Sequence, residues 1–122
     1  MNHKILICDD EDTIRETLKF ILGDFYSLFL VNSVEQALYT LENNTDIQIT
    51  LLDIKMPKGK KLDALKEIKS RFPHIKIIMI TGYRSVETAA EASRLGAVGY
   101  IVKPFKAEEI LETVRKVTVL PS

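Results

Sequence analysis

The sequence predicts an α/β fold, a single doubly wound five-stranded parallel sheet with five helices. Three observations carry that expectation. Five short apolar runs rich in β-branched residues recur along the chain, each is followed by a segment with apolar residues at helical spacing, and runs such as Ile77 to Ile80 are apolar on both faces. Strands buried on both faces belong to parallel sheets covered by helices on each side. At 122 residues the chain is one domain's worth. Its 46% hydrophobic content supplies enough apolar side chain to offset the ordering entropy, which argues against disorder.

The expected strands are Lys4 to Cys8, Tyr26 to Val31, Gln48 to Leu52, Ile75 to Ile80 and Val98 to Val102. The first helix is carried by Ile14, Leu18, Ile21 and Leu22, the second by Val34, Ala37, Leu38 and Leu41. Leu62, Leu65 and Ile68 give the third, Val86, Ala89, Ala90 and Ser93 the fourth, and Ile110, Leu111, Val114 and Val117 the fifth. Ser33 reads as an N-cap, and Gly23 and Gly96 stand where helices stop. Pro57, Pro73 and Pro104 fall in connections.

Lys plus Arg and Asp plus Glu both total 17, so no global basic field exists to attract nucleic acid or anionic lipid. Cys8 is the single cysteine, sits in an apolar run and reads as a small core residue, which suits a reducing compartment. No apolar run approaches the length needed to cross a bilayer, and Met1 to Cys8 is too short and too quickly acidic for a signal peptide. A cytoplasmic protein without direct nucleic-acid or membrane contact is the expectation.

Ligands of an open α/β sheet collect at the carboxyl ends of its strands. Here the first strand ends in Asp9, Asp10 and Glu11, the third in Asp53, the fourth in Thr81, and the fifth in Lys103 and Pro104. Carboxylates brought together repel unless a cation sits among them, and an all-oxygen site that also holds phosphate suits Mg²⁺, with Asp10 and Asp53 as direct ligands. One Asp53 oxygen is then free to attack phosphorus and form an acyl phosphate. Lys103 can pair with the phosphoryl oxygens, and the Thr81 hydroxyl can donate to another. Each residue has a bland alternative as well: acids at a solvated helix start, a turn aspartate, a threonine cap, a loop lysine before a proline. Four strands each ending in the complementary group make coincidence improbable.

Ile5 to Glu11 (ILICDDE), Asp53 to Pro57 (DIKMP), Thr81 with Gly82, and Gly96 to Phe105 (GAVGYIVKPF) together resemble the receiver domains of two-component response regulators, over essentially the whole chain. The stretch Tyr83 to Phe105 is most similar to receivers of nitrogen-regulation-type transcription activators. The resemblance implies a flavodoxin-like sheet of order 2-1-3-4-5 over residues 1–118, with 119–122 as a tail or the start of a linker. It implies that Asp53 is phosphorylated by a histidine kinase or a histidine phosphotransfer protein, that Asp9 and Asp10 form an acid pocket, and that Lys55 gives its backbone carbonyl to Mg²⁺. Thr81 and Tyr100 match the switch pair, Lys103 matches the family's lysine, and the bond to Pro104 is expected cis. Homodimerisation through the fourth helix, fifth strand and fifth helix is a further implication. So is a kinase contact near Ile14, Thr17 and Phe105.

The sequence departs from the family pattern in places. Where receivers carry a short Asp-Gly loop, this chain reads Lys58, Gly59, Lys60 and Lys61, expected as a solvated basic loop, with an acidic-partner patch as the sharper alternative. Gly82 stands where many relatives have alanine, and Gly99 where an acid is common. Lys55 and Tyr83 lie two residues beyond Asp53 and Thr81, where bulky side chains would shield an acyl phosphate from water.

Rivals fit less well. A haloacid-dehalogenase-type phosphatase needs a second acid where Lys55 stands, and a dinucleotide-binding domain needs a glycine-rich turn where the first strand runs into acids. A receiver-like binding module that never handles phosphate has no use for a lysine facing carboxylates. The expected protein is thus a signalling phosphoacceptor rather than an enzyme with an external substrate. His3 and His74 fall outside the strand-end rim and read as surface residues.

Overall fold

The computed structural model describes residues 3–53, 58–82 and 86–120. Strand and helix alternate as expected: β1 (Lys4–Asp9), α1 (Asp12–Leu22), β2 (Ser27–Val31), α2 (Val34–Asn43), β3 (Ile47–Asp53), α3 (Lys58–Arg71), β4 (Lys76–Thr81), α4 (Val86–Arg94), β5 (Ala97–Val102) and α5 (Ala107–Thr118). All neighbouring strands pair in parallel, and their order is β2-β1-β3-β4-β5.

Period-two alternation along the strands divides the core into two layers. On β1, Ile5 and Ile7 face Leu18 and Leu22 of α1 and Val114 of α5, while Leu6 and Cys8 face the opposite layer with Leu41 of α2, Leu65 of α3 and Ala92 of α4. The inner strands β1, β3 and β4 are buried along almost their whole length, whereas β2 and β5 at the sheet edges stay partly exposed. That difference explains why the inner runs lack a polar face.

The caps follow the sequence. The Ser33 side chain accepts from the Gln36 N–H at 3.2 Å, and the Gln36 side chain accepts in return from the Asn32 N–H at 2.9 Å. Gly23 closes α1, its N–H donating to the Lys19 carbonyl at 2.8 Å. Gly96, at φ +111°, turns the chain between α4 and β5 in a backbone conformation that side chains rarely adopt.

Two expectations need correction. The buried face of α4 is Thr88 and Ala92; Val86 is 85% exposed, and Ala90 and Ser93 also face solvent, so helical spacing alone put the apolar stripe about half a turn out of phase. The stretch from Lys58 to Lys61 is no solvated loop but the first turn of α3, and Lys61 is buried. Lys61 lies in phase with Ala64, Leu65 and Ile68, which are the helix's core-facing residues. His3 and His74 line one small cleft with Gln48, Lys76 and Thr118, apart from the acidic rim.

Candidate functional site

The site forms because β1 and β3 are adjacent and in register at their carboxyl ends, which sets Asp9 beside Asp53. Both carboxylates are buried, Asp9 fully and Asp53 to 3% exposure. The Asp9 Oδ1 accepts the Glu11 N–H at 2.8 Å, and its Oδ2 has no hydrogen-bond partner. Burial, followed by the neighbouring Asp53 carboxylate, pushes the Asp9 carboxyl up to about 7, against the opposing pull of the Glu11 N–H and the Lys103 ammonium. An orphaned carboxylate oxygen facing a second buried carboxylate is a cation site in the making.

Lys103 enters from the end of β5. Its Nζ lies 2.6 Å from Asp53 Oδ2 and 3.9 Å from Glu11 Oε1. At 2.6 Å Lys103 and Asp53 form an ion pair. Burial works against the Lys103 ammonium, yet contact with Asp53 and the nearby carboxylates carries its pKa above the ordinary lysine value. The Lys103 N–H donates to the Thr81 carbonyl at 2.8 Å, and the peptide bond to Pro104 is cis as expected. Thr81 is buried at the end of β4, opposite Val102. Tyr100 lies further back on β5, partly buried against the α2, α3 and α4 layer, and burial raises its phenol pKa.

The structure thus sets Asp9 beside Asp53, brings Lys103 against Asp53 and puts Thr81 at the same end of the sheet. Asp10 follows Asp9 in the chain but is exposed. Among the described residues, no three His, Cys, Asp or Glu side chains gather closely enough to hold a metal unaided. Lys55 and Tyr83 lie outside the described residues. The orphaned Asp9 Oδ2 beside the buried Asp53 carboxylate fits one side of an all-oxygen site for a hard divalent cation.

Two contributors were not expected. The Arg15 guanidinium donates to the Asp9 backbone carbonyl at 2.6 Å, fixing the strand end that carries the acid. Lys61 Nζ lies 3.4 Å from Asp53 Oδ1 and 3.2 Å from the Ile80 carbonyl. Its helical phase with Ala64, Leu65 and Ile68 was the available signal. Burial, the largest influence, lowers the Lys61 pKa, while Asp53 opposes the shift. Gly99 has a packing reason: a Cβ there would sit 3.2 Å from Thr113 Cγ2 and 3.3 Å from two Ile78 carbons. At Gly82 a Cβ would meet open space.

Residues 5–115 match the response regulator receiver domain family, and the chain belongs to that family. It is 38% identical to the regulatory protein AtoC of Escherichia coli K12 over 98% of this chain and 26% of that protein, and so spans about a quarter of that relative's length. A beryllofluoride-activated NtrC4 receiver domain dimer superposes with a TM-score of 0.83 at 31% identity, covering 93% of each chain. A CheX–CheY–BeF₃–Mg²⁺ complex from Borrelia burgdorferi contains a chain that superposes with a TM-score of 0.87 at 26% identity, covering 97% of this chain and 90% of that one. The likeness to AtoC and NtrC4 agrees with the nitrogen-regulation-type character of the sequence. Receivers are signalling domains of two-component systems, and this chain is one of them.

Proposed function

We propose that this domain accepts a phosphoryl group on Asp53 from a histidine kinase or a histidine phosphotransfer protein, and that Thr81 and Tyr100 pass the change to its output face. The carrying observation is the buried Asp53 carboxylate, set beside Asp9 and held at 2.6 Å by Lys103. One Asp53 oxygen forms the new O–P bond as the donor's N–P bond breaks, and the electron pair stays on the donor imidazole. Lys103 lies where it can follow the charge from the carboxylate onto the transferred oxygens. A divalent cation, when bound by Asp9, Asp10 and Asp53, offsets the charge of the carboxylates and of the phosphoryl oxygens.

The domain comprises residues 1–118 and acts in the cytoplasm as a phosphoacceptor whose only catalysis is of its own phosphorylation and dephosphorylation. Among the described residues no helix is long and apolar enough to cross a membrane. The NtrC4 receiver relative is a dimer, which supports pairing of this chain through α4, β5 and α5. Incubation with acetyl phosphate tests the assignment. Mass spectrometry is expected to show one added phosphoryl group that requires Mg²⁺ and is absent from Asp53→Asn. No labelling of the native chain would favour a phosphate-independent binding module.

A further inference from the structure

The hydrogen-bonded ladder between β3 and β4 runs from Ile49 opposite Lys76 to Leu52 opposite Met79. One residue further on, Asp53 ends β3, and Ile80 carries the next carbonyl of β4. The Lys61 ammonium bridges the two, 3.4 Å from Asp53 Oδ1 and 3.2 Å from the Ile80 oxygen. Its side chain is 7% exposed and rises from the core-facing side of α3. Such burial of a lysine is costly unless the charge is paired. Here the partner is the acceptor carboxylate itself.

The consequence lies in the local charge balance. Lys103 stands 2.6 Å from Asp53 Oδ2 and Lys61 stands at Oδ1, so each oxygen of the acceptor faces an ammonium. Both oxygens of the buried Asp53 carboxylate thus have an ammonium partner before any divalent ion arrives, with Asp9 beside them and Glu11 3.9 Å from Lys103. A dication approaching Asp53 meets a carboxylate whose charge is already partly offset, and Lys61 repels it at short range through a poorly screened medium. Resting on the assignment of Asp53 as a metal-dependent acceptor, we propose that Lys61 is an internal counter-ion of Asp53 that competes with the divalent cation and sets the concentration at which the site loads. It is a positioning residue, acting through Asp53. Its role beside the Ile80 carbonyl alone would be structural and would leave metal affinity unchanged.

The test is a Mg²⁺ titration of the full chain followed by calorimetry or by amide chemical shifts, comparing native protein with Lys61→Met and Lys61→Gln. Methionine keeps the length and apolar stem of the side chain and removes its charge. Both variants are expected to bind Mg²⁺ about tenfold more tightly, since removing one like charge next to the site relieves its repulsion. Equal or weaker affinity overturns the competition while leaving the acceptor assignment standing. Absence of Mg²⁺ binding by native chain and variants alike overturns both. A second measurement needs no substitution: lysine labelling by an amine-reactive ester, read residue by residue with and without Mg²⁺. Lys61 is expected to label several-fold faster once the cation releases it from Asp53. An unchanged Lys61 rate, with the exposed Lys60 as internal reference, also overturns the competition.

Discussion

Asp9 and Asp53 stand opposite each other on β1 and β3, two buried carboxylates side by side at the ends of adjacent parallel strands. Burial, followed by the Asp53 carboxylate, raises the folded Asp9 carboxyl from its ordinary 3.8 to about 7. Between those values the folded state holds more protons than the unfolded state, so unfolding free energy falls as pH rises through the window. Below it both states are protonated and nothing is lost; above it the loss is complete. In EDTA Asp9 therefore contributes a decline in melting temperature from pH 4 to 7, opposed by groups such as Asp46 whose lowered pKa works the other way. Asp9→Asn should flatten that decline and stabilise the neutral metal-free protein by on the order of 2 kcal/mol. A native-minus-Asp9→Asn difference in melting temperature that rises over the same range would contradict the assignment.

Cys8 is fully buried, and its thiol donates to the Ser33 carbonyl at 3.3 Å. Burial, reinforced by the carboxylates of Asp9, Asp10 and Asp53, pushes that thiol up to about 12. Native Cys8 should thus react with iodoacetamide at pH 8 about a thousandfold more slowly than the same thiol in urea, because the thiolate is the reacting form. Comparable rates in the two conditions would show that the pocket opens readily.

Two glycines invite opposite outcomes. An added Cβ at Gly82 meets nothing within 4 Å, so Gly82→Ala should be neutral or stabilise by about 0.5 kcal/mol through the unfolded chain. At Gly99 the new atom would press on Thr113 and Ile78, so Gly99→Asp should destabilise by about 1–3 kcal/mol. Urea midpoints of the two variants settle the contrast, and equal shifts would show that β5 and α5 give way.

Lys69 ties down the turn between α3 and β4, with its Nζ donating to the Pro73 carbonyl at 2.8 Å and the Ile75 carbonyl at 2.7 Å. Its stem also fills the space beside Gly96, where a Cβ would come within 2.7 Å of Lys69 Cγ. Lys69→Met keeps the stem and removes the donor. The loss should be about 1–2 kcal/mol, with faster amide exchange at Phe72 and residues 74–76. Unchanged exchange would mean that water replaces the ammonium without consequence.

Much of this was legible beforehand. Each strand lies within one residue of its expected bounds, because apolar runs between acids, glycines and prolines leave little freedom at the ends. The meeting of Asp9, Asp53 and Lys103 followed from strand ends alone, since a parallel sheet brings them to one side. Lys61 escaped notice for a physical reason. Three lysines around one glycine have the composition of a solvated turn, and only the phase set by Ala64, Leu65 and Ile68 shows that one of them points inward. On α4, small residues cover most of the surface, so period alone could not decide between Val86 and Thr88.

β3 is the middle strand, with two neighbours on either side, and Asp53 is its last residue. A strand paired on both sides and buried along almost its whole length belongs to the class of elements that open at a cost near the full unfolding free energy. Under the proposed function the readout comes from the margins, from β5 and the helices beside it. Such a division of labour lets the outer surfaces diversify toward new partners while the acceptor keeps its geometry, as a socket stays fixed while different instruments are plugged in.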